Sequence, residues 1–458
     1  MGDLRAGRFD GLVLGGAVAV ALLCVFPCAL HDESLAVLGL PGTPAAVAGT
    51  PLARALRLAV TLLGHLGLPT YMAALGLLAA ATGLAVFAVH QMARAGGGSR
   101  GAALGAGALV ATCPAAAVAA TTVHVHAFVL LLAALATWLA ARTAARGSWR
   151  FAAALGVTCG VAHWAAPIGA LLPLLVVPLL LLEPAAEVLS SRRTAALVLV
   201  ALGTWLGLAA VLQRGDLTAG LPSGEQVASY DVGTLGPLLL RDGLRAFLPL
   251  SLVVLGALGA ARGHRHALVL AGLALLHTVV GCHLTGTLGD DGSFLLPLLP
   301  ASALLAARLL SGRLCLAAVL AGLAISATKV ALRADWHAAS EFTAGVHELA
   351  AGRPFTLITG PRRDEAFVLA RLPRIAPVRV VPVCDGAATP DGFAQDLQQR
   401  LTGGQRVLLT DEAEQALRDP VFRARHAAAG AVLKQLEATF TLTFVTARGF
   451  AGRELAAR

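Results

Sequence analysis

The chain has 458 residues, 57% of them hydrophobic and only 13% charged. A soluble domain carries about one quarter charged residues, so this balance excludes an ordinary soluble globule and marks a polytopic membrane protein. The net charge of +9 comes from Arg, with Lys only at Lys329 and Lys434. Most Arg of the first 330 residues fall in short loops, which is a topology signal and not a nucleic-acid surface.

Residues 11–30 form the first apolar run. About 20 residues at 1.5 Å rise cross the roughly 30 Å hydrocarbon layer, so this run predicts a span. It stops in His31-Asp32-Glu33. Acids at a membrane boundary are costly, so the pair invites a role as general base or metal ligand, the plainer alternative being a water-facing end to the span. Arg5 and Arg8 before the run put the amino terminus in the cytoplasm and the acids outside. The start lacks the small-residue site of a cleaved signal peptide, so the span is expected to be retained.

Residues 31–69 then make an outer loop in which 52–66 place Leu52, Leu56, Ala59, Leu63 and Leu66 at helical spacing, apart from Arg54, Arg57 and His65. That pattern predicts an interfacial helix. Further spans are expected at 70–92, 102–121, 126–141, 151–165, 167–182, 195–212, 246–261, 267–284, 294–310 and 314–332. Each expected cytoplasmic turn carries Arg, and a count of about eleven leaves the tail outside. Outer loops 213–245 and 285–293 carry Asp216, Glu225, Asp231, Asp242, Asp290 and Asp291.

From about 333 apolar density falls. Phe355–Thr359, Val378–Val383, Val407–Thr410 and Thr439–Thr446 read as strands, and 363–371, 391–401, 411–418 and 421–437 as helices. This alternation predicts a small extracytoplasmic α/β domain. Gly360-Pro361 is no nucleotide fingerprint, and the seven Cys show no zinc or redox spacing.

Polar residues gather on the expected outer side: His31, Asp32, Glu33, His124, His126, His163, Trp164, His283, Asp290 and Asp291. Buried polar groups at membrane depth need partners or water, so an outer cavity suited to an anionic or sugar-bearing ligand is expected. Each member has a plainer reading. His124 and His126, two apart on a helix, would point to different faces, so a shared metal requires an extended segment there. His163-Trp164 also suits an interfacial anchor, and Asp290-Asp291 between glycines a solvated turn.

The order of these motifs resembles the GT-C integral-membrane glycosyltransferases, most closely the bacterial glycosyltransferase-like family related to eukaryotic transmembrane protein O-mannosyltransferases. Residues 10–185 carry the likeness: Asp32-Glu33 after the first span, then Gly49-Thr50-Pro51-Leu52 and Pro69-Thr70-Tyr71-Met72. Cys113-Pro114 through His124-Val125-His126-Ala127-Phe128, and Gly160-Val161-Ala162-His163-Trp164, continue it. Farther on, the stretch from Asp290-Asp291 to Pro297 resembles the family's Glu-Arg-Phe/Tyr-x-x-Pro.

The resemblance implies transfer of a hexose, mannose among the candidates, from a polyprenyl-phosphate donor to a hydroxyl of protein, lipid or glycan at the outer face of a bacterial inner membrane. Asp32 would be the catalytic carboxylate, supported by Glu33. His124, His126, His163, Asp290, Asp291, Arg54 and Arg57 would bind substrate. The departing phosphate calls for cationic or metal stabilisation, with magnesium or manganese, Arg54, Arg57, Arg241 and Arg245 all open. The departures are specific: His124 or His126 stands where the family has an acid, Val47-Ala48 replaces His-Pro-Pro, and Asp290-Asp291 or Asp291-Gly292 replaces Glu-Arg. They keep open a non-catalytic transporter or a lipid-linked-sugar-binding scaffold.

Overall fold

The structure, a computed structural model, describes residues 2–24, 29–30, 51–68, 70–182, 191–213, 237, 239–260, 263–285, 290–333, 342, 344–346, 348–349, 353–360, 378–383, 390–418, 429–447 and 450–457. These divide into two compact units, one of residues 1–26, 75–121 and 125–331, the other of 27–74, 122–124 and 332–458.

The first unit is helical. Its elements in order are α1 (Gly2–Cys24), α3 (Thr70–Ala95), α4 (Arg100–Ala111), α5 (Pro114–Thr121), α6 (His126–Arg146) and α7 (Trp149–Ala165), with α2 lying in the second unit. A 3-10 turn (Pro167–Leu171) leads to α8 (Leu172–Leu182) and then α9 (Ser191–Leu212). Next come a π turn (Leu239–Gly243), α10 (Leu250–Leu258), α11 (His264–Thr285), a 3-10 segment (Asp290–Leu298), α12 (Leu299–Leu309) and α13 (Gly312–Arg333).

Every apolar stretch read as a span contains helix, but the lengths differ. Among the described residues five helices are long and apolar enough to cross a membrane: Met72–Ala95, His126–Arg146, Ser191–Leu212, Gly292–Leu309 and Gly312–Val330. Helices α4 and α5 together make a sixth, bent by 56°. The break has a chemical cause, since Pro114 has no N–H and clashes with a continuing helix. It frees the Thr112 carbonyl, which accepts a hydrogen bond from Ser326 Oγ of α13 at 2.7 Å.

The first element corrects the sequence expectation. A span was expected to reach residue 30; the described helix covers Gly2–Cys24, and Ala29–Leu30 is extended, in keeping with a sequence that carries a proline, which a helix interior does not tolerate, between the two.

The core of this unit is dominated by small and aliphatic side chains, among them Ala106, Leu130, Ala133, Ala134, Leu155, Leu172 and Leu299. Apolar side chains gain little by leaving lipid, so helix association here relies on close packing of small residues. At Gly15 and Gly83 the backbones of α1 and α3 approach so closely that a Cβ on either would lie 2.5 Å from the other's carbonyl oxygen. The Asp10 carboxylate of α1 pairs with Arg100 of α4 at 2.6 Å.

The second unit contains α2 (Pro51–His65), the two-residue strands β1 (Ala29–Leu30) and β2 (Thr122–Val123), and the C-terminal region. That region holds β3 (Phe355–Thr359), β4 (Val378–Pro382), α14 (Pro390–Thr402), β5 (Arg406–Thr410), α15 (Asp411–Arg418), α16 (Ala429–Thr439), β6 (Phe440–Ala447) and β7 (Phe450–Ala457). The sheet order is β4-β3-β5-β7-β6, with β3 parallel to β4 and β5, and β7 antiparallel to β5 and β6. Period-2 alternation sends Phe355 and Leu357 to one face with Leu408 and Phe450, and Ile358 to the other with Val407, Leu409, Leu397 and Leu436. The last strand, β7, was not anticipated. Of the expected helices, 363–371 and the first part of 421–437 lie outside the described residues.

Candidate functional site

The site is best built from β1 and β2. Ala29 pairs with Thr122 and Leu30 with Val123 in parallel register. Residues 93 positions apart in the chain are thereby set side by side, Leu30 being followed in sequence by His31-Asp32-Glu33 and Val123 by His124-Val125-His126. Asp32 and Glu33 themselves lie outside the described residues. The Thr121 hydroxyl turns back onto the Ala117 carbonyl at 2.8 Å where α5 ends, and the extended pair Thr122-Val123 separates α5 from α6.

The extended pair changes the reading of the two imidazoles. His124 lies in a bend and is buried, at 5% exposure, whereas His126 opens α6 and is half-buried. They therefore do not share one helix. The ring of His126 stands edge-on to that of Phe294 in the 3-10 segment, centroids 6.1 Å apart at 67°. Among the described residues no three His, Cys, Asp or Glu side chains are grouped to hold a metal ion.

His163 lies in the last turn of α7 and is also buried, its ring tilted by 36° against Trp205 of α9 at 6.0 Å. Its carbonyl accepts a hydrogen bond from Gln213 Nε2 at 3.2 Å. His126 and His163 are thus held against different elements, the 3-10 segment and α9. The neighbour of the His163 ring is Trp205 of another helix.

Asp290 and Asp291 start the 3-10 segment, and from Gly292, with φ +74°, through Pro300 every residue is buried. The segment packs on α5, α6, α11, α12 and the π turn. Asp290 and Asp291 thus come immediately ahead of a buried run in the chain.

Arg54 and Arg57 lie on the exposed side of α2, whose buried face is Ala53, Leu56 and Val60. The stripe read from the sequence was Leu52, Leu56, Ala59, Leu63 and Leu66. Leu56 alone of that set is fully buried, Leu66 is exposed, and Leu58 and Leu62 share the open side with the arginines. An open side carrying both Leu and Arg suits a helix lying in a membrane interface. Of the other two cations considered, Arg245 is exposed and Arg241 belongs to the π turn.

One residue escaped the sequence reading. His277 of α11 is fully buried and its Nδ1 lies 2.8 Å from the Phe294 carbonyl. An imidazole in the middle of an apolar run is the signal that could have found it, because such groups are rare at membrane depth without a partner.

Among the described residues the first unit is a bundle of helices, five of them long and apolar enough to cross a membrane. No protein-family model matches the chain, and no curated protein matches it either. Among solved structures, ArnT from Cupriavidus metallidurans bound to undecaprenyl phosphate matches with a TM-score of 0.53 at 15% identity, over 97% of each chain. The apo state of the same protein gives 0.51 at 16%, again over 97% of each chain. The shared fold thus runs along almost the whole of both chains.

Proposed function

We propose that this protein is a membrane glycosyltransferase that moves a sugar from a polyprenyl-phosphate donor to a hydroxyl acceptor, on the outer face of a bacterial cytoplasmic membrane. The observation that carries the reading is the parallel pairing of Ala29–Leu30 with Thr122–Val123. It joins the chain just ahead of the acidic pair to the chain just ahead of the imidazole pair. The undecaprenyl phosphate bound to ArnT, whose fold the chain shares, supports the donor class.

In this reading Asp32 is the general base and Glu33 supports it. An acceptor hydroxyl is a weak nucleophile, and a carboxylate within hydrogen-bond reach takes its proton as the oxygen bonds to the anomeric carbon. The bond from that carbon to the phosphate oxygen breaks, and the electron pair leaves with the polyprenyl phosphate. Arg54 and Arg57 are the cations assigned to the departing phosphate, where charge-assisted hydrogen bonds are worth most. His124, His126, His163, Asp290 and Asp291 are assigned to binding the sugar and phosphate. The α/β region is assigned to the outer side, and no step is routed through a metal.

The test is turnover in sealed proteoliposomes containing an undecaprenyl-phosphate-linked sugar. Release of undecaprenyl phosphate together with a glycosylated acceptor is the expected result. Movement of the intact donor across the bilayer with no turnover would replace the enzyme by a transporter, and binding with neither would leave a scaffold.

A further inference from the structure

The 3-10 segment that begins with Asp290-Asp291 has a hydrogen-bonding problem written into its sequence. In a 3-10 run the carbonyl of residue 294 looks to the N–H of residue 297, and residue 297 is Pro, which has none. His277, fully buried on α11, lies with Nδ1 2.8 Å from that carbonyl. A carbonyl only accepts, so Nδ1 carries the proton and the ring's tautomer is fixed. The same residue, Phe294, turns its ring edge-on to His126. Phe294 therefore ties His277 to the segment that bears the two acids and, through its ring, to the imidazole that opens α6.

Two further atoms mark this spot. His277 Nε2 and the hydroxyl of the adjacent Ser293, itself 4% exposed, are buried with no hydrogen-bond partner among the described residues. A buried polar atom left without a partner costs free energy, so a polar residue used purely for packing would be a poor choice at 277. Leu or Phe would fill space there at less cost.

We propose that His277 is a positioning residue: by donating to the Phe294 carbonyl it fixes the 3-10 segment that presents Asp290 and Asp291 and sets the ring against which His126 is oriented. This rests on the reading of those residues as part of a polyprenyl-phosphate site. His277 acts through Phe294 and need not touch substrate.

The test compares His277→Asn with His277→Leu in the full-length protein in nanodiscs, using undecaprenyl phosphate as the probe. An Asn amide can donate at about the position of Nδ1, while Leu fills the space without a donor. Deuterium exchange over 290–298 and the Kd for undecaprenyl phosphate are measured on both variants and on the unaltered protein. The expected result is near-native exchange and affinity for His277→Asn, against faster exchange over 290–298 and affinity weakened by about tenfold or more for His277→Leu. Unchanged exchange in His277→Leu overturns the proposal, as does faster exchange with unchanged affinity. Equal losses in both variants, in step with a lowered melting temperature, make the role structural only and overturn it too. Failure of the unaltered protein to bind undecaprenyl phosphate overturns the donor reading, and the proposal with it. That result is distinct from failure of the proposal alone, in which the unaltered protein binds and His277→Leu binds equally well.

Discussion

Gly292–Leu309 and Gly312–Val330 follow one another in the chain, both apolar enough to cross a bilayer, yet 83% of the first is buried in the protein and 11% of the second. Apolarity therefore marks a segment as belonging to the membrane without saying what it touches, because lipid tails are as apolar as Leu. Side-chain size and lone polar groups make the distinction. The buried helix α12 carries Pro300, Ala301, Ser302 and Ala303, all inward. Helix α13 turns Leu316, Leu320 and Leu323 outward and buries a narrow stripe of Cys315, Gly322 and Ser326. On that stripe Ser326 bonds to the Thr112 carbonyl, and a Cβ on Gly322 would lie 2.8 Å from the same oxygen.

The comparison breaks most easily where backbones or small side chains meet. Ala303→Phe in α12 and Gly322→Leu in α13 should each destabilise the protein by about 1–3 kcal/mol, since overpacking forces backbone shifts. Thermal unfolding in detergent would show a clear drop for both. A Gly322→Leu protein that melts like the unaltered chain would contradict the contact between α13 and the α4–α5 bend.

A second contrast, expected to be smaller, lies in how charge is handled. In the helical unit Ser326 Oγ and His277 Nδ1 bond to main-chain carbonyls and Asp10 pairs with Arg100, whereas the α/β region gathers several opposite charges on and beside its sheet. Arg406 holds Glu454 through two hydrogen bonds of 2.7 and 2.8 Å and also donates to the Leu349 carbonyl. Glu414 is met by Arg453 and Arg418 at 3.0 and 2.9 Å. The Arg406 hydrogen bond draws the Glu454 pKa below its ordinary 4.5. For Glu414 burial pushes upward, but the two guanidiniums together outweigh it and hold the pKa below 4.5.

A lowered folded-state pKa contributes stability that is full above the unfolded value and fades as pH falls through the folded one. Deuterium exchange over β5 and β7 should therefore rise as pH drops below 4.5, once corrected for intrinsic rates, while α12 stays protected. At neutral pH Glu454→Gln should cost about 1 kcal/mol or less, as expected for a partly exposed pair. The smallest effect belongs to Leu320→Ala on the lipid-facing side of α13. A melting temperature within the scatter of the unaltered protein is expected there, because an exposed substitution away from special features usually changes stability by less than about 0.5 kcal/mol.

Much of this architecture was legible because hydrophobic runs and Arg-bearing turns are local signals. Helix is found in each apolar run, and Phe355–Thr359 is found as a strand over the expected residues. Other features depend on partners distant in sequence. The pairing of Ala29–Leu30 with Thr122–Val123 involves two residues on each side, too few for any periodicity. Strand β7 carries Arg453 and Glu454, which break strand alternation until Glu414 and Arg406 are seen to neutralise them. On α2 the residues that pack inward, Ala53, Leu56 and Val60, depend on a neighbour that helical spacing alone does not name.

For the candidate site, residue types were legible and neighbours were not. His163 and Trp205, or His126 and Phe294, meet only through helix packing. His277 was passed over as one polar residue in a span, though Pro297 twenty residues later creates the need it fills.

The most direct measurement is turnover of an undecaprenyl-phosphate-linked sugar by Asp32→Ala beside the unaltered protein, in proteoliposomes at matched amounts of folded protein. With Asp32 as general base, the variant should still bind undecaprenyl phosphate while its turnover falls by about a hundredfold to ten-thousandfold. Turnover equal to that of the unaltered protein would contradict the account.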